Sequence, residues 1–115
     1  MKKLMYAPDA LEKLQIMKQD IADRHGAEIA RKVIMKITKA IQGLQQFENK
    51  GQSVESVTGI SCDFRFLYVQ YNYVFYRIQN DTIWILDIYH EREDFMWRLF
   101  GIRTTPKETE DYWEE

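Results

Sequence analysis

The apolar residues change their spacing once along this chain, and that change decides what it can build. From Asp9 to about Arg24, Ala10, Leu11, Leu14, Met17 and Ile21 recur at helical intervals, the mark of an amphipathic helix. Pro8 suits the first turn of that helix and disfavours helix in the residue before it. His25-Gly26 interrupts the pattern, with Gly26 as the terminating residue. A second helix is predicted from about Ala27 to Gln46, its stripe formed by Ile29, Val33, Ile34, Ile37, Ile41 and Leu44. Lys32, Lys36 and Lys39 fall on the remaining face, which reads as solvated. With so short a connection the two helices must pack antiparallel.

Beyond Ser61 the period is that of a sheet. Phe64–Val69, Tyr73–Ile78 and Thr82–Tyr89 are rich in aromatic and β-branched residues, which suit a pleated, half-buried surface. Gln70-Tyr71-Asn72 and Asn80-Asp81 mark the turns of a meander. The third strand is the most continuously apolar and is expected to be central. Lys3-Leu4-Met5-Tyr6 is a further short strand able to close the sheet at an edge. Glu48–Ser61 reads as a loop with room for a short strand at Ser53–Val57. Asp94 is placed to cap a short helix over Phe95–Phe100 that Gly101 would end. The expected fold is α+β: an N-terminal strand, an antiparallel helical hairpin on a mostly antiparallel sheet of three or four strands, and a short C-terminal helix.

One domain is expected over residues 1–105, with residues 106–115 as an acidic tail. Residues 108–115 hold five acids and no base, whereas residues 1–107 hold 16 Lys and Arg against 13 Asp and Glu. The body is thus only mildly basic, below what a dedicated nucleic-acid surface needs. The single cysteine, Cys62, excludes an internal disulfide and a cysteine zinc site. Pro8 and Asp9 cut off any apolar leader after Met1–Tyr6. No run approaches the length of a membrane span, so no membrane partner and a cytoplasmic location are expected.

The densest chemistry follows the third strand of the meander, at His90-Glu91-Arg92-Glu93-Asp94. His90 has the titration range of a general base, and Arg92 the planar fork that holds phosphate or carboxylate. A metal is not expected, because no second histidine stands at a ligand spacing. Arg65 and Arg77 lie on neighbouring strands, and would meet Arg92 in one pocket only if all three face the same way. A one-residue change of register reverses that facing. Twelve of the sixteen aromatics fall between Phe64 and Phe100. Most should be core and cross-strand pairs. Tyr71, Tyr73 and Tyr89, near strand ends, are the better candidates to meet a partner. No Gly-rich phosphate loop or nucleophile elbow is present, and no cofactor is expected.

The order of strand, helical hairpin, loop and meander resembles the RelE/ParE superfamily of toxins from type II toxin–antitoxin systems, over roughly residues 3–100. The likeness rests on Tyr6-Ala7-Pro8-Asp9-Ala10, the Ala30/Ile37/Ile41/Leu44 stripe and Arg65-x-Leu67-x-Val69. It continues through Val74-Phe75-Tyr76-Arg77-Ile78 and Ile85-Leu86-x-Ile88-x-His90-x-Arg92-x-Asp94. RelE-like members are ribosome-dependent mRNA endonucleases that use lysines and arginines on the sheet. Here there is no lysine between Cys62 and Arg103, and Tyr73 stands where the RelE-like pattern has a strand arginine. The ParE-like branch, associated with poisoning DNA gyrase through protein contact, therefore fits better. The resemblance implies a cognate antitoxin as partner and gyrase as a target. It leaves a ribosome-dependent nuclease, or a non-toxic antitoxin-binding member, as alternatives. For a nuclease, Arg65, Arg77, His90 and Arg92 are the catalytic candidates. Tyr73, Tyr76, Tyr89 and Asp94 are the binding candidates. The acidic tail, with Tyr112 and Trp113, is expected to be a disordered, solubilising segment; the alternative, a tail folded back over the basic body, predicts that removing residues 106–115 would raise toxicity or partner binding.

Overall fold

The computed structural model describes residues 2–91. Strand β1 (Lys3–Tyr6) leads into helix α1 (Pro8–His25), with Pro8 in its first turn as its missing N–H allows. The backbone turns sharply at Gly26, where φ is 96° and ψ 158°, a region open in practice to glycine alone. The Gly26 N–H closes α1 on the Ala22 carbonyl, while its own carbonyl receives Ala30 N–H to begin helix α2 (Ala27–Gly43). One residue thus ends a helix and starts the next, as the sequence implied. The expected continuation to Gln46 is not helical. After Gly43 the backbone bonds shift to three-residue spacing at Leu44 and Gln45, tightening into a turn.

Strand β2 (Gln52–Ser53) and helix α3 (Val54–Thr58) replace the short strand expected at Ser53–Val57. Ser53 explains the difference: its hydroxyl accepts the Ser56 N–H at 3.3 Å as an N-cap, and Gly59 ends the single turn at φ 78°. Strands β3 (Arg65–Val69), β4 (Asn72–Gln79) and β5 (Thr82–His90) form the meander. Among the described residues the sheet has five strands in the order β1-β5-β4-β3-β2, beyond the three or four expected because Gln52–Ser53 adds an edge. Among the described strands only the β1–β5 pair is parallel. β5 is interior, flanked by β1 and β4, although the middle position belongs to β4.

The helical hairpin covers one face. Ala10 and Leu14 of α1 and Ile37 and Ile41 of α2 pack with Leu44, Leu67, Val74, Tyr76, Ile83, Ile85 and Ile88 into the main core. Truncating Ile41 or Ile85 to alanine is expected to cost about 2–5 kcal/mol. Leu11 and Ile29, both in the stripes read from the sequence, instead stand exposed. The other face is covered in part by α3 and the segment after it, where Val54, Phe75 and Tyr89 form a second, smaller core against Cys62, Phe64, Phe66 and Tyr73.

A bulge determines which side chains reach that second face. Phe75 pairs with Asp87 but Tyr76 pairs with Ile85, leaving Leu86 as an extra residue on β5. An inserted residue inverts the alternation beyond it. Ile83 and Ile85 therefore point to the helices, whereas Asp87 and Tyr89 join Phe75 and Tyr73 on the opposite side.

Candidate functional site

Arg65 and Arg77 lie on opposite faces. Arg65 is opposite Tyr76 and two residues from Leu67, both in the helix-side core. Its guanidinium donates to the Asn49 carbonyl at 3.1 Å and the Gly51 carbonyl at 2.6 Å. Tyr76 works on the same loop: its hydroxyl donates to the Glu48 carbonyl at 2.8 Å and accepts the Gly51 N–H at 3.1 Å. Tyr76 is fully buried, so of the binding candidates it is the one that holds the protein's own 48–51 loop. Gly51 is required there, since a Cβ would lie 2.5 Å from the Phe66 carbonyl oxygen and 2.6 Å from the Tyr76 hydroxyl.

Arg77 belongs to the second face. Its Nε and Nη2 both meet Asp63 Oδ2, at 3.2 and 2.8 Å, and its guanidinium sits 5.9 Å from the Phe64 ring centre. The described arginines of the sheet are thus separated by the sheet itself and each is engaged within the chain. Arg92 and Asp94, the short helix over Phe95–Phe100 and the acidic tail lie outside the described residues.

The second face carries a continuous aromatic row. Tyr68 is 5.1 Å from Tyr73, Tyr73 is 5.5 Å from Phe66 in an edge-on arrangement, and Phe75 meets Tyr89 edge-on at 6.0 Å. Such edge-to-face contacts suit the ring quadrupoles. Between this row and α3 runs an apolar groove of about 390 Å³ bounded by Val54, Val57, Phe66, Tyr68, Tyr73 and Phe75. Tyr73 is half-buried there, while Tyr89 is buried in the second core beside Phe75. The Tyr68 phenol donates to Glu91 at 2.5 Å, and this hydrogen bond pushes its pKa up to about 12.

One contact was not legible in the sequence. β1 accompanies β5 only through Ile85. Past that point Lys13 of α1 reaches the strand, with its ammonium 2.8 Å from Asp87 Oδ1 and 3.4 Å from the centre of the Tyr89 ring. Asp87 also accepts the Ile88 N–H at 2.8 Å. Sequence spacing alone could not bring Lys13 here, because the bulge that turns Asp87 outward has no signature in the residues.

His90 is exposed at the end of β5, opposite Asn72. It lines a groove of about 460 Å³ between the β3–β4 turn and the closed end of the helical hairpin, together with Arg24, His25, Ile29 and Tyr71. The turn itself is unusual. Gln70 and Tyr71 have φ of 51° and 64°, both in the left-handed region. A two-residue hairpin favours this geometry, but asparagine and glycine normally supply it. Asn72 supports the turn by donating from its side chain to the Gln70 carbonyl at 2.6 Å.

No group of three or more His, Cys, Asp or Glu side chains that could hold a metal occurs among the described residues, nor is any described helix long and apolar enough to cross a membrane. What the described residues offer is surface: grooves and an aromatic sheet face, built on rigid strands.

A similar chain occurs in the solved structure "Chromosomal ParDE TA system from P. aeruginosa". The two share 24% identity and superpose with a TM-score of 0.67, over 78% of this chain and 96% of that one. At that identity the likeness speaks for the fold. A comparison with curated proteins gives no match. The sequence model of the family described as "ParE toxin of type II toxin-antitoxin system, parDE" matches residues 4–95, from β1 past the end of the meander. The chain therefore belongs to the ParE toxin family of type II toxin–antitoxin systems.

Proposed function

We propose that this ParE-like toxin acts by binding a protein target of the DNA gyrase type, and that a cognate antitoxin neutralises it by direct contact. The observation that carries the reading is the separation of Arg65 from Arg77. One clamps the 48–51 loop on the helix side, and the other is paired with Asp63 on the opposite side. Cleaving RNA would require preorganised cations around one phosphate, since charge stabilisation in the transition state is commonly the largest catalytic contribution. The described sheet gathers its aromatics instead, and aromatic side chains are the usual anchors of a protein interface. The similar solved structure is that of a ParDE toxin–antitoxin system, which supports an antitoxin as the neutralising partner.

The reading is tested by inducing the chain in a bacterial host without antitoxin, while following growth, plasmid supercoiling and bulk mRNA in the same cultures. Growth arrest with altered supercoiling and intact mRNA is expected. Arrest with mRNA cut at ribosomes would instead assign a nuclease and return Arg65, Arg77, His90 and Arg92 to catalytic roles. Normal growth would assign a non-toxic member.

A further inference from the structure

We infer that Phe47 is a fixed aromatic knob that seats in an apolar pocket of the folded protein target, an inference that rests on the gyrase-type reading above. Phe47 stands between α2 and β2 with its ring 66% exposed, the most exposed large apolar side chain among the described residues. A single exposed ring is ordinary. This one sits on a segment held more firmly than a connection needs. Both backbone groups of Phe47 are engaged: its N–H donates to the Gly43 carbonyl at 3.0 Å, and its carbonyl accepts the Lys50 N–H at 3.0 Å. Leu44, fully buried in the main core, anchors the start of the segment.

Side chains from distant parts of the fold grip the main chain on both sides of the ring. Gln45 donates to the Lys2 carbonyl at 2.8 Å, and the Lys2 ammonium lies 3.4 Å from the Glu48 carboxylate. The Tyr76 hydroxyl joins the Glu48 carbonyl to the Gly51 N–H, and Arg65 holds the Asn49 and Gly51 carbonyls. Arg65 is directed at the loop even though its Nε stays buried with no hydrogen-bond partner among the described residues. A backbone already ordered has little freedom left to lose on association, so a ring presented this way is preorganised for binding. Gln46, Asn49 and Lys50, all exposed, adjoin it and give an apolar centre with a polar rim, the anatomy of a protein interface. A protruding ring needs a preformed pocket to enter. A lone helix or extended segment offers none, so the occupant is the folded target and not a peptide-like arm of the antitoxin.

The test reads the concentration of full-length chain that halves DNA gyrase supercoiling of relaxed plasmid with ATP. Affinity for the purified antitoxin encoded beside it is measured in parallel by calorimetry. Phe47→Ala is expected to raise the inhibitory concentration by about tenfold or more, the range of an interface anchor, with antitoxin affinity unchanged. Phe47→Trp keeps a flat ring and should retain most of the inhibition. Tyr76→Phe keeps the core ring but releases the Glu48 carbonyl and the Gly51 N–H, and should show part of the alanine loss while still binding antitoxin. If folded Phe47→Ala inhibits within about twofold of the wild type, the inference falls and the gyrase reading stands without it. An equal loss of antitoxin affinity in Phe47→Ala would assign the loop to the antitoxin and overturn the inference as well. If the unaltered chain leaves gyrase fully active, both readings fall.

Discussion

At the scale of single residues, two polar contacts have measurable consequences. The Tyr68 phenol is held protonated by its hydrogen bond to Glu91, so its folded pKa of about 12 lies above the ordinary value of 10.0. A raised pKa means that the contribution of this bond to stability is complete below about pH 10 and is lost as pH rises towards 12. In a phenolate absorbance titration, Glu91→Gln should return one tyrosine to the ordinary range. Superimposable curves would show that the bond does not form. Burial raises Tyr6 as well, and that late-titrating group should persist in the variant. Lys13 and Asp87 form the second contact, largely shielded from solvent on the carboxylate side. Removing one member of a shielded pair leaves the other uncompensated. Lys13→Met should cost about 1–3 kcal/mol in urea unfolding, below the fully buried case because Lys13 remains partly solvated. A change within about 0.3 kcal/mol would place the pair among ordinary surface bridges.

At the scale of elements, the turn and the loop clamp make opposite demands. Replacing Gln70-Tyr71 by Asn-Gly keeps the hairpin geometry and relieves two left-handed residues, so stability should rise by about 1 kcal/mol. Urea unfolding reads that gain, and an unchanged midpoint would show that the turn stores no strain. Gly51→Ala pushes into the Phe66 carbonyl and the Tyr76 hydroxyl, and should destabilise by about 2–3 kcal/mol while detaching the 48–51 loop. An unchanged midpoint of unfolding would mean that the loop is not clamped. These elements also mark how far the residues alone could be read. The helical hairpin was legible because Ala10, Leu14, Ile37 and Ile41 repeat at the period the core demands, and Gly26 is the residue a one-residue reversal needs. The meander was legible from its β-branched and aromatic runs. Helix α3 was hidden because its cap depends on one serine hydroxyl within a polar loop. The facing of Tyr89 and Asp87 was hidden because it depends on the Leu86 bulge, and strand periodicity cannot register an inserted residue. Of the candidate site, the aromatics could be named from the sequence. Their division between a loop clamp at Tyr76 and a continuous row through Tyr68, Tyr73 and Phe75 could not.

At the scale of the whole molecule, the sheet works as a partition. Its helix side carries the main core and the Arg65–Tyr76 clamp, while its other side carries the aromatic row and the Arg77–Asp63 pair. Cations that a nuclease would focus on one phosphate are thereby kept apart. Grooves at different places on the described surface give room for separate protein contacts. On the proposed reading, toxicity and neutralisation are both matters of surface complementarity, and interface substitutions should alter dissociation rates more than association rates. Action on gyrase through protein contact is open to a direct assay, in which purified full-length chain is added to DNA gyrase, relaxed plasmid and ATP, and supercoiling and trapped DNA cleavage are read on a gel. Supercoiling is expected to fall as chain is added, with recovery when antitoxin is supplied. Full gyrase activity at saturating chain, together with cutting of mRNA on translating ribosomes, would contradict a gyrase-directed toxin.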